Sequence, residues 1–142
     1  MARTATAEWK GTLKEGGGTM ALGSGAFTGS YTFKSRFEDG EGTNPEELIG
    51  AAEAGCFTMA LSNALGEAGF PVDSVKTEAK VSIRNIDGLP SIASIALTTV
   101  GRVPGVDEAK FLELASQAKD QCIISRALAG VGDITLDAKL ES

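Results

Sequence analysis

The chain of 142 residues contains no histidine, and this absence excludes several kinds of active site. Without an imidazole, the protein cannot form a Cys-His or Ser-His nucleophile pair, or any zinc site that includes histidine. Cysteine is scarce too, because the chain has only Cys56 and Cys122, and neither belongs to a CxxC pair. Any thiol chemistry must therefore use activating groups other than histidine.

Positive charge is also in short supply, with 13 basic residues against 19 acidic ones and a net charge of -6. This balance argues against binding nucleic acid or an anionic membrane through a broad basic surface. The first residues, MARTATAEWK, lack the apolar core of a signal peptide. The longest apolar runs also fall short of the roughly 20 residues that span a bilayer. We therefore expect a cytoplasmic protein whose partners are small molecules or other proteins.

The composition is that of an ordinary soluble domain, with 42% apolar and 23% charged residues. A chain of this length fits one compact domain, which we expect to span residues 1–142. Glycine is abundant, at 18 residues, but no glycine cluster fits GxxxxGK[ST] or a strand-GxGxxG-helix context. We interpret these clusters as turns.

Alternation of apolar and polar residues predicts six strands. Three of them form a meander between residues 3 and 37, and in the third we expect Arg36 on the polar face. A hairpin follows over residues 75–103, and residues 134–141 close the chain as a strand.

The segment NPEELIGAAEAGCFTMALSNALGEAG predicts a helix of about 24 residues, or about 36 Å. Asn44 suits its N-cap, Pro45 its first position and Glu47 a capping box, and glycines near residue 69 suit its end. The helix is apolar on nearly all sides, so we expect it to be covered on nearly all sides. A second helix carries Cys122 on its buried stripe, near its end. This order of elements predicts an α+β fold with largely antiparallel sheets around a long central buried helix.

Both cysteines are thus expected to face inward. A single such cysteine is most often a small buried hydrophobe. Two cysteines that meet in a reducing compartment are more often a redox pair than a permanent crosslink. Cys56 lies too far along its helix for the dipole to activate it, and Glu53, one turn earlier, would oppose a thiolate. A nucleophilic Cys56 therefore needs a cation from elsewhere.

Arg36 is the cation best placed by sequence, because a guanidinium stays charged when enclosed and can aim two donors at one ligand. The alternative for Arg36 is a solvated strand arginine. Glu46 and Glu47 are the acids nearest to it, and both also suit the first turn of a helix. Glu46 would lie about 15 Å from Cys56 along a continuous helix. The two can share a site only if the helix breaks or Glu46 comes from another subunit, which favours a two-fold dimer with interfacial sites.

The segment RFEDGEGTNPEELIGAAEAGCFTMALS, followed by a second cysteine near the end of a late helix, resembles the osmotically inducible protein C and organic hydroperoxide resistance (OsmC/Ohr) family, in particular its OsmC branch. The resemblance implies an intertwined homodimer that reduces organic hydroperoxides in osmotic and oxidative stress. It implies that Cys56 attacks the O–O bond, that Cys122 resolves the resulting sulfenic acid as a disulfide, that Arg36 stabilises the thiolate and that Glu46 orients Arg36. It also implies that no metal or haem is needed and that a dithiol reductant, such as a lipoyl group, restores the thiols.

The chain departs from the family pattern at two places. Family members often carry proline after the second cysteine and an aromatic residue or histidine three residues before the first, where this chain has Ile123 and Glu53. A carboxylate so close to Cys56 would raise the pKa of the thiol unless it is paired elsewhere or solvated. Two other functions stay open: a redox-sensing or ligand-binding dimer without peroxidase turnover, and a structural dimer with inert thiols.

Overall fold

The structure is a computed structural model that describes residues 1–141. Its contacts divide the chain into two compact units, Met1–Leu48 and a second from Ile49 onward. In chain order the elements are β1 (Ala5–Lys10), β2 (Gly17–Leu22), β3 (Thr28–Tyr31), α1 (Phe33–Phe37), α2 (Pro45–Glu67), β4 (Ser74–Ile86), β5 (Leu89–Arg102), α3 (Glu108–Gln121), α4 (Ile123–Ala127) and β6 (Ile134–Glu141).

The N-terminal unit contains an antiparallel sheet in the order β1-β2-β3, as the predicted meander requires. Gly18 in the middle strand pairs with Trp9 on one side and Tyr31 on the other. The two aromatic rings meet across it edge to face, with centroids 5.2 Å apart. A Cβ on Gly18 would lie 2.7 Å from the Tyr31 ring, so the glycine makes room for this aromatic pair.

The prediction that the third strand continues to residue 37 is wrong, because β3 ends at Tyr31 and helix α1 follows. Thr32 caps this helix: its hydroxyl accepts from the Ser35 N–H at 3.1 Å, while the Ser35 hydroxyl accepts from the Thr32 N–H at 2.8 Å. This reciprocal capping box starts a helix inside a segment whose apolar alternation is typical of a strand. Arg36 therefore lies in the last turn of a short helix and not on a strand.

Helix α2 has the predicted extent, with 23 residues between well-defined caps. At its start the Asn44 Oδ1 accepts from the Glu47 N–H at 2.7 Å. At its end the chain turns at Gly69, which has a φ of 94°, and the Phe70 N–H donates to the Leu65 carbonyl at 2.8 Å. This is the Schellman arrangement, in which glycine supplies the left-handed residue.

One face of α2 belongs to the hydrophobic core of the second unit. Phe57, Leu61 and Leu65 on this face are fully buried, and they share the core with residues of β5 and α3. The opposite face is open in the single chain, and Met59 there is 77% exposed. By length and composition alone α2 could cross a bilayer. Its burial of one face in the core is typical of a helix in a globular fold.

The second unit holds the other sheet, in the order β4-β5-β6. Strands β4 and β5 form the predicted hairpin around Asp87 and Gly88, whose φ values of 53° and 82° suit a tight two-residue turn. Strand β6 pairs with β5 in parallel, so the sheets are largely antiparallel with one parallel pair. The predicted α+β class is thus confirmed.

We expect Gly101→Ala to destabilise the second unit. A Cβ at Gly101 would lie 2.6 Å and 2.7 Å from two ring atoms of Phe111, which is fully buried and cannot move aside freely. Overpacking of this kind costs about 1–3 kcal/mol of unfolding free energy, measurable by urea denaturation. Gly66→Ala in α2 is the control, because its Cβ would meet no atom within 4 Å. This substitution should stabilise the helix by up to about 1 kcal/mol. Equal destabilisation by both substitutions would contradict this account of the core.

Candidate active site

The two cysteines come together in the second unit. Cys56 lies in the middle of α2 and is half-buried, whereas Cys122 lies between α3 and α4 and is buried. Both are free thiols, and the Cys122 side chain lies close enough to Cys56 to raise the pKa of its thiol. The sulfur atoms are therefore neighbours in the reduced chain, as a pair that forms and breaks a disulfide must be.

Cys122 sits at a junction between two helices. Its N–H donates to the Ala118 carbonyl at 3.0 Å and ends α3, while its sulfur accepts from the Ser125 N–H at 3.3 Å and starts α4. Helix α4 was not predicted from the sequence. Its start had no sequence signal, because serine, threonine, aspartate and asparagine are the usual N-caps and cysteine is not.

The surroundings of Cys56 raise the pKa of its thiol. The largest cause is burial, which disfavours the charged thiolate. The second is the hydrogen bond to the Cys122 side chain, which holds the proton on Cys56. The backbone N–H groups of Ile124 and Ile123 act in the opposite direction, since they donate to the sulfur, but they do not outweigh burial. Within the second unit, Cys56 is therefore a poorly activated nucleophile.

Glu53 lies one turn before Cys56 and is fully buried. The Ser125 hydroxyl donates a short hydrogen bond to its Oε1. Among residues 1–141, its Oε2 has no hydrogen-bond partner. Beside the thiol, the Glu53 carboxylate is therefore paired with Ser125 through one of its two oxygens.

Arg36 and Glu46 form the other pair of predicted site residues, and it lies in the N-terminal unit. The guanidinium binds the carboxylate through two nitrogens: Nη2 lies 2.7 Å from Oε1, and Nε lies 3.2 Å from both carboxylate oxygens. Glu47, the other candidate acid, accepts instead from the Thr43 hydroxyl at 2.8 Å. The acid that holds Arg36 in this structure is therefore Glu46.

This clamp leaves part of the guanidinium available to a ligand. Glu46 occupies Nε and Nη2, and the ring of Phe37 lies under the guanidinium with its centroid 5.1 Å from Cζ. Within the described chain, Nη1 donates to no protein group, and the Arg36 side chain remains 38% exposed. A guanidinium fixed on one edge and open on the other can present oriented donors to an anionic oxygen or sulfur.

The structure thus brings the four predicted site residues together as two pairs, one in each unit. Cys56 contacts Cys122, and Arg36 contacts Glu46. In residues 1–141 no group of three or more histidine, cysteine, aspartate or glutamate side chains is arranged to hold a metal ion.

An α+β fold that carries two adjacent thiols and a carboxylate-held arginine defines a class of two-cysteine proteins suited to redox chemistry. Within that class, the family model described as OsmC-like protein matches residues 38–137, and the chain belongs to this family. The resemblance drawn from the sequence is therefore confirmed.

Characterised relatives agree with this assignment. The chain is 47% identical over 137 residues to "Peroxiredoxin OsmC" of Escherichia coli (strain K12). The matched region covers 96% of this chain and 94% of that protein. It is 34% identical over 100 residues to "Organic hydroperoxide resistance protein" of Xanthomonas axonopodis pv. citri (strain 306), covering 68% of this chain and 67% of the relative.

Solved structures show the same fold. The crystal structure of the organic hydroperoxide resistance protein OhrB of Bacillus subtilis matches with a TM-score of 0.68 and 26% identity, over 97% of this chain and 98% of that one. An OsmC structure from Legionella pneumophila matches with a TM-score of 0.72 over 96% of both chains, and at 20% identity it supports the fold alone.

We expect Cys122→Ala to lower the pKa of Cys56. The substitution removes the hydrogen bond that holds the proton on Cys56 and the repulsion between the two sulfurs when both are charged. Because only the thiolate is alkylated, Cys56 in the variant should react faster with iodoacetamide below its pKa, and its rate profile should shift to lower pH. Peptide mass spectrometry measures Cys56 separately from Cys122. An unchanged profile would show that Cys122 does not hold the Cys56 proton.

Proposed function

We propose that the protein is a thiol-dependent peroxidase that reduces organic hydroperoxides to alcohols. The observation that carries this proposal is the contact between Cys56 and Cys122 as two reduced thiols on adjacent elements. Relatives named peroxiredoxin and organic hydroperoxide resistance protein support the same role. A two-cysteine peroxidase uses a nucleophilic thiol, a second thiol and a peroxide substrate, and this chain supplies both thiols.

The first step is attack of the Cys56 thiolate on the terminal oxygen of the hydroperoxide. A sulfur–oxygen bond forms as the O–O bond breaks, which leaves Cys56 as a sulfenic acid. The alkoxide that leaves takes up a proton and departs as the alcohol. Both charged species need stabilisation, the thiolate before the step and the alkoxide during it.

Arg36 is the group that we assign to this stabilisation. The raised pKa of Cys56 means that its own surroundings do not favour the thiolate, so a cation must be supplied. Arg36 is held by Glu46 with its remaining donors open, which suits it to bind the sulfur and then the developing alkoxide. In this mechanism Glu46 orients Arg36 and does not touch the substrate.

In the second step Cys122 attacks the sulfur of the Cys56 sulfenic acid. The S–S bond forms, the S–O bond breaks, and the hydroxide that leaves takes up a proton to become water. A dithiol reductant, such as a lipoyl group, then returns the disulfide to two thiols. The chemistry uses thiols throughout and requires no metal or haem.

The substrate that this site favours carries an apolar tail. Met59, one turn after Cys56, is 77% exposed, and Ile123, directly after Cys122, is 75% exposed. Ala52, one turn before Cys56, is exposed as well. These apolar side chains around the two thiols would bind the alkyl group of an organic hydroperoxide. Hydrogen peroxide has no alkyl group and would gain no binding energy from them.

The working form that we propose is an intertwined homodimer of single OsmC-like domains, each spanning residues 1–142, located in the cytoplasm and without nucleic acid or membrane partners. Helix α2 is unbroken, so Glu46 and Cys56 are separated by about 15 Å along it. Of the two ways for both to serve one site, a break in the helix or a second subunit, the unbroken helix supports the second. The open face of α2 with Met59 is a surface for that subunit.

We expect the wild type to consume cumene hydroperoxide in the presence of a dithiol reductant, and Cys56→Ser to consume none beyond background. In the absence of reductant, Cys122→Ser should reduce one equivalent and stop at the Cys56 sulfenic acid, because the chain then has no resolving thiol. Loss of hydroperoxide is measured by a colorimetric peroxide assay. Full turnover by Cys56→Ser would overturn the peroxidase proposal. A wild type that forms the disulfide but does not turn over with any dithiol would favour the redox-sensing alternative.

For Arg36→Ala we expect the peroxide step to slow by at least about tenfold, a loss of about 1.4 kcal/mol of transition-state stabilisation. Stopped-flow measurement of the first turnover reports this step directly. Arg36→Lys is the matched control, since it keeps the charge but loses the two-nitrogen contact with Glu46. Unchanged first-turnover rates in Arg36→Ala would remove Arg36 from the site.

Mixing a slowed variant with an inactive one tests whether Arg36 acts across the dimer. After subunit exchange, a hybrid of Arg36→Ala and Cys56→Ser holds one intact site if the arginine serves the partner's cysteine, and none if it serves its own. An equal mixture should then recover about a quarter of wild-type turnover. Activity no higher than that of the two separate variants would place both groups in one subunit.

A further inference from the structure

The mechanism above makes no use of Glu53, although this carboxyl is the most unusual group near the thiols. It is fully buried in a largely apolar core, and within residues 1–141 one of its oxygens has no hydrogen-bond partner. Such a group costs stability, so an apolar residue would serve simple packing better. Its position one turn before Cys56 suggests that it is kept for what it does to the thiols.

Within residues 1–141, the only polar side-chain contact of Glu53 leads to the resolving cysteine. Ser125 donates its hydroxyl to Glu53 Oε1, and the same residue donates its backbone N–H to Cys122 Sγ at 3.3 Å. Ser125 therefore joins a carboxyl on α2 to the sulfur at the start of α4. Cys56 is on α2 as well, so this bridge ties the helix of one thiol to the turn that carries the other.

We propose that Glu53 is a positioning residue for disulfide formation, which through Ser125 holds Cys122 Sγ in line with the sulfur of Cys56. The inference rests on the proposed function and deepens it. Without this tie, the five-residue helix α4 is anchored to α2 less firmly, and the resolving sulfur loses its fixed approach. A displacement of about 1 Å at a reacting atom can slow a step by about 100-fold.

In this step the Cys122 thiol loses its proton to solvent and its sulfur provides the electron pair of the new S–S bond. The S–O bond of the Cys56 sulfenic acid breaks, and the hydroxide takes up a proton to leave as water. Glu53 neither gives nor takes a proton in this step. Its contribution is geometric. A neutral side chain of the same shape that accepts a hydrogen bond from Ser125 should therefore position Cys122 equally well.

The test is a single turnover of the full-length protein with one equivalent of cumene hydroperoxide and with dimedone present to trap sulfenic acid. In the wild type we expect disulfide formation to outrun trapping. In Glu53→Ala we expect disulfide formation to slow by at least about tenfold, so that the dimedone adduct of Cys56 dominates by intact mass. Glu53→Gln should stay within about threefold of the wild type, because its amide oxygen accepts from the Ser125 hydroxyl.

Ser125→Ala provides a second, independent variant in case Glu53→Ala does not fold. It should show the same accumulation of sulfenic acid, and the double variant should be no slower than either single one, because both substitutions break one bridge. Thr99→Val is the control: it removes another fully buried hydroxyl from the same unit and should change stability without changing the ratio of disulfide to adduct.

Each other outcome overturns the proposal. If Glu53→Gln is as slow as Glu53→Ala, the carboxyl acts by proton transfer and not by position. If Glu53→Ala and Ser125→Ala both form the disulfide at the wild-type rate, the bridge has no part in resolution. A wild type that does not consume the hydroperoxide would refute the proposed function itself, which separates that failure from the failure of this inference.

Discussion

The partial burial of the Cys56 thiol is the constraint on which the rest of the site depends. Its apolar environment opposes the charge that makes sulfur a nucleophile, and the pKa of Cys56 is raised accordingly. The apolar helix that holds it in place, with Phe57 and Leu61 in the core, cannot supply the missing charge. The carboxylate-held guanidinium of Arg36 is suited to that task, because it remains charged in any environment.

The hydrogen-bonding contacts near the thiols are few, and within residues 1–141 one oxygen of Glu53 makes none. Ser125 makes two of these contacts, one through its hydroxyl and one through its backbone. In a core made largely of aliphatic and aromatic side chains, such contacts fix orientation more than they add stability. The site therefore combines a hydrophobic interior, which excludes water, with a small hydrogen-bonded cluster that sets the direction of the reacting atoms.

Much of the fold could be predicted from the sequence because its signals are local. Helix α2 is marked by Asn44 at its start and by Gly69 at its end, and the β4–β5 hairpin by an Asp-Gly turn. The third strand was overextended because the alternation of its apolar residues continues past the point where Thr32 and Ser35 cap a helix. Alternation reports which side chains share a face, and a single turn of helix can mimic it over a few residues.

The site was harder to predict where it depends on contacts between distant parts of the chain. The two cysteines and Arg36 were identified from their residue types and from the family resemblance. The partner of Glu53 was not, since Ser125 lies 72 positions away and on a helix without a sequence signal. Between the two neighbouring acids, the residues alone left the choice open and the family resemblance implied Glu46, which is the acid that lies against Arg36 in the structure.

The double role of Cys122 joins backbone structure to thiol chemistry at one residue. Its N–H ends α3, and its sulfur accepts from the Ser125 N–H at the start of α4. In the mechanism that we propose, the same sulfur forms the bond to Cys56, so the reacting atom is also the cap of a helix. A change in the bonding of this sulfur would therefore act directly on the first turn of α4.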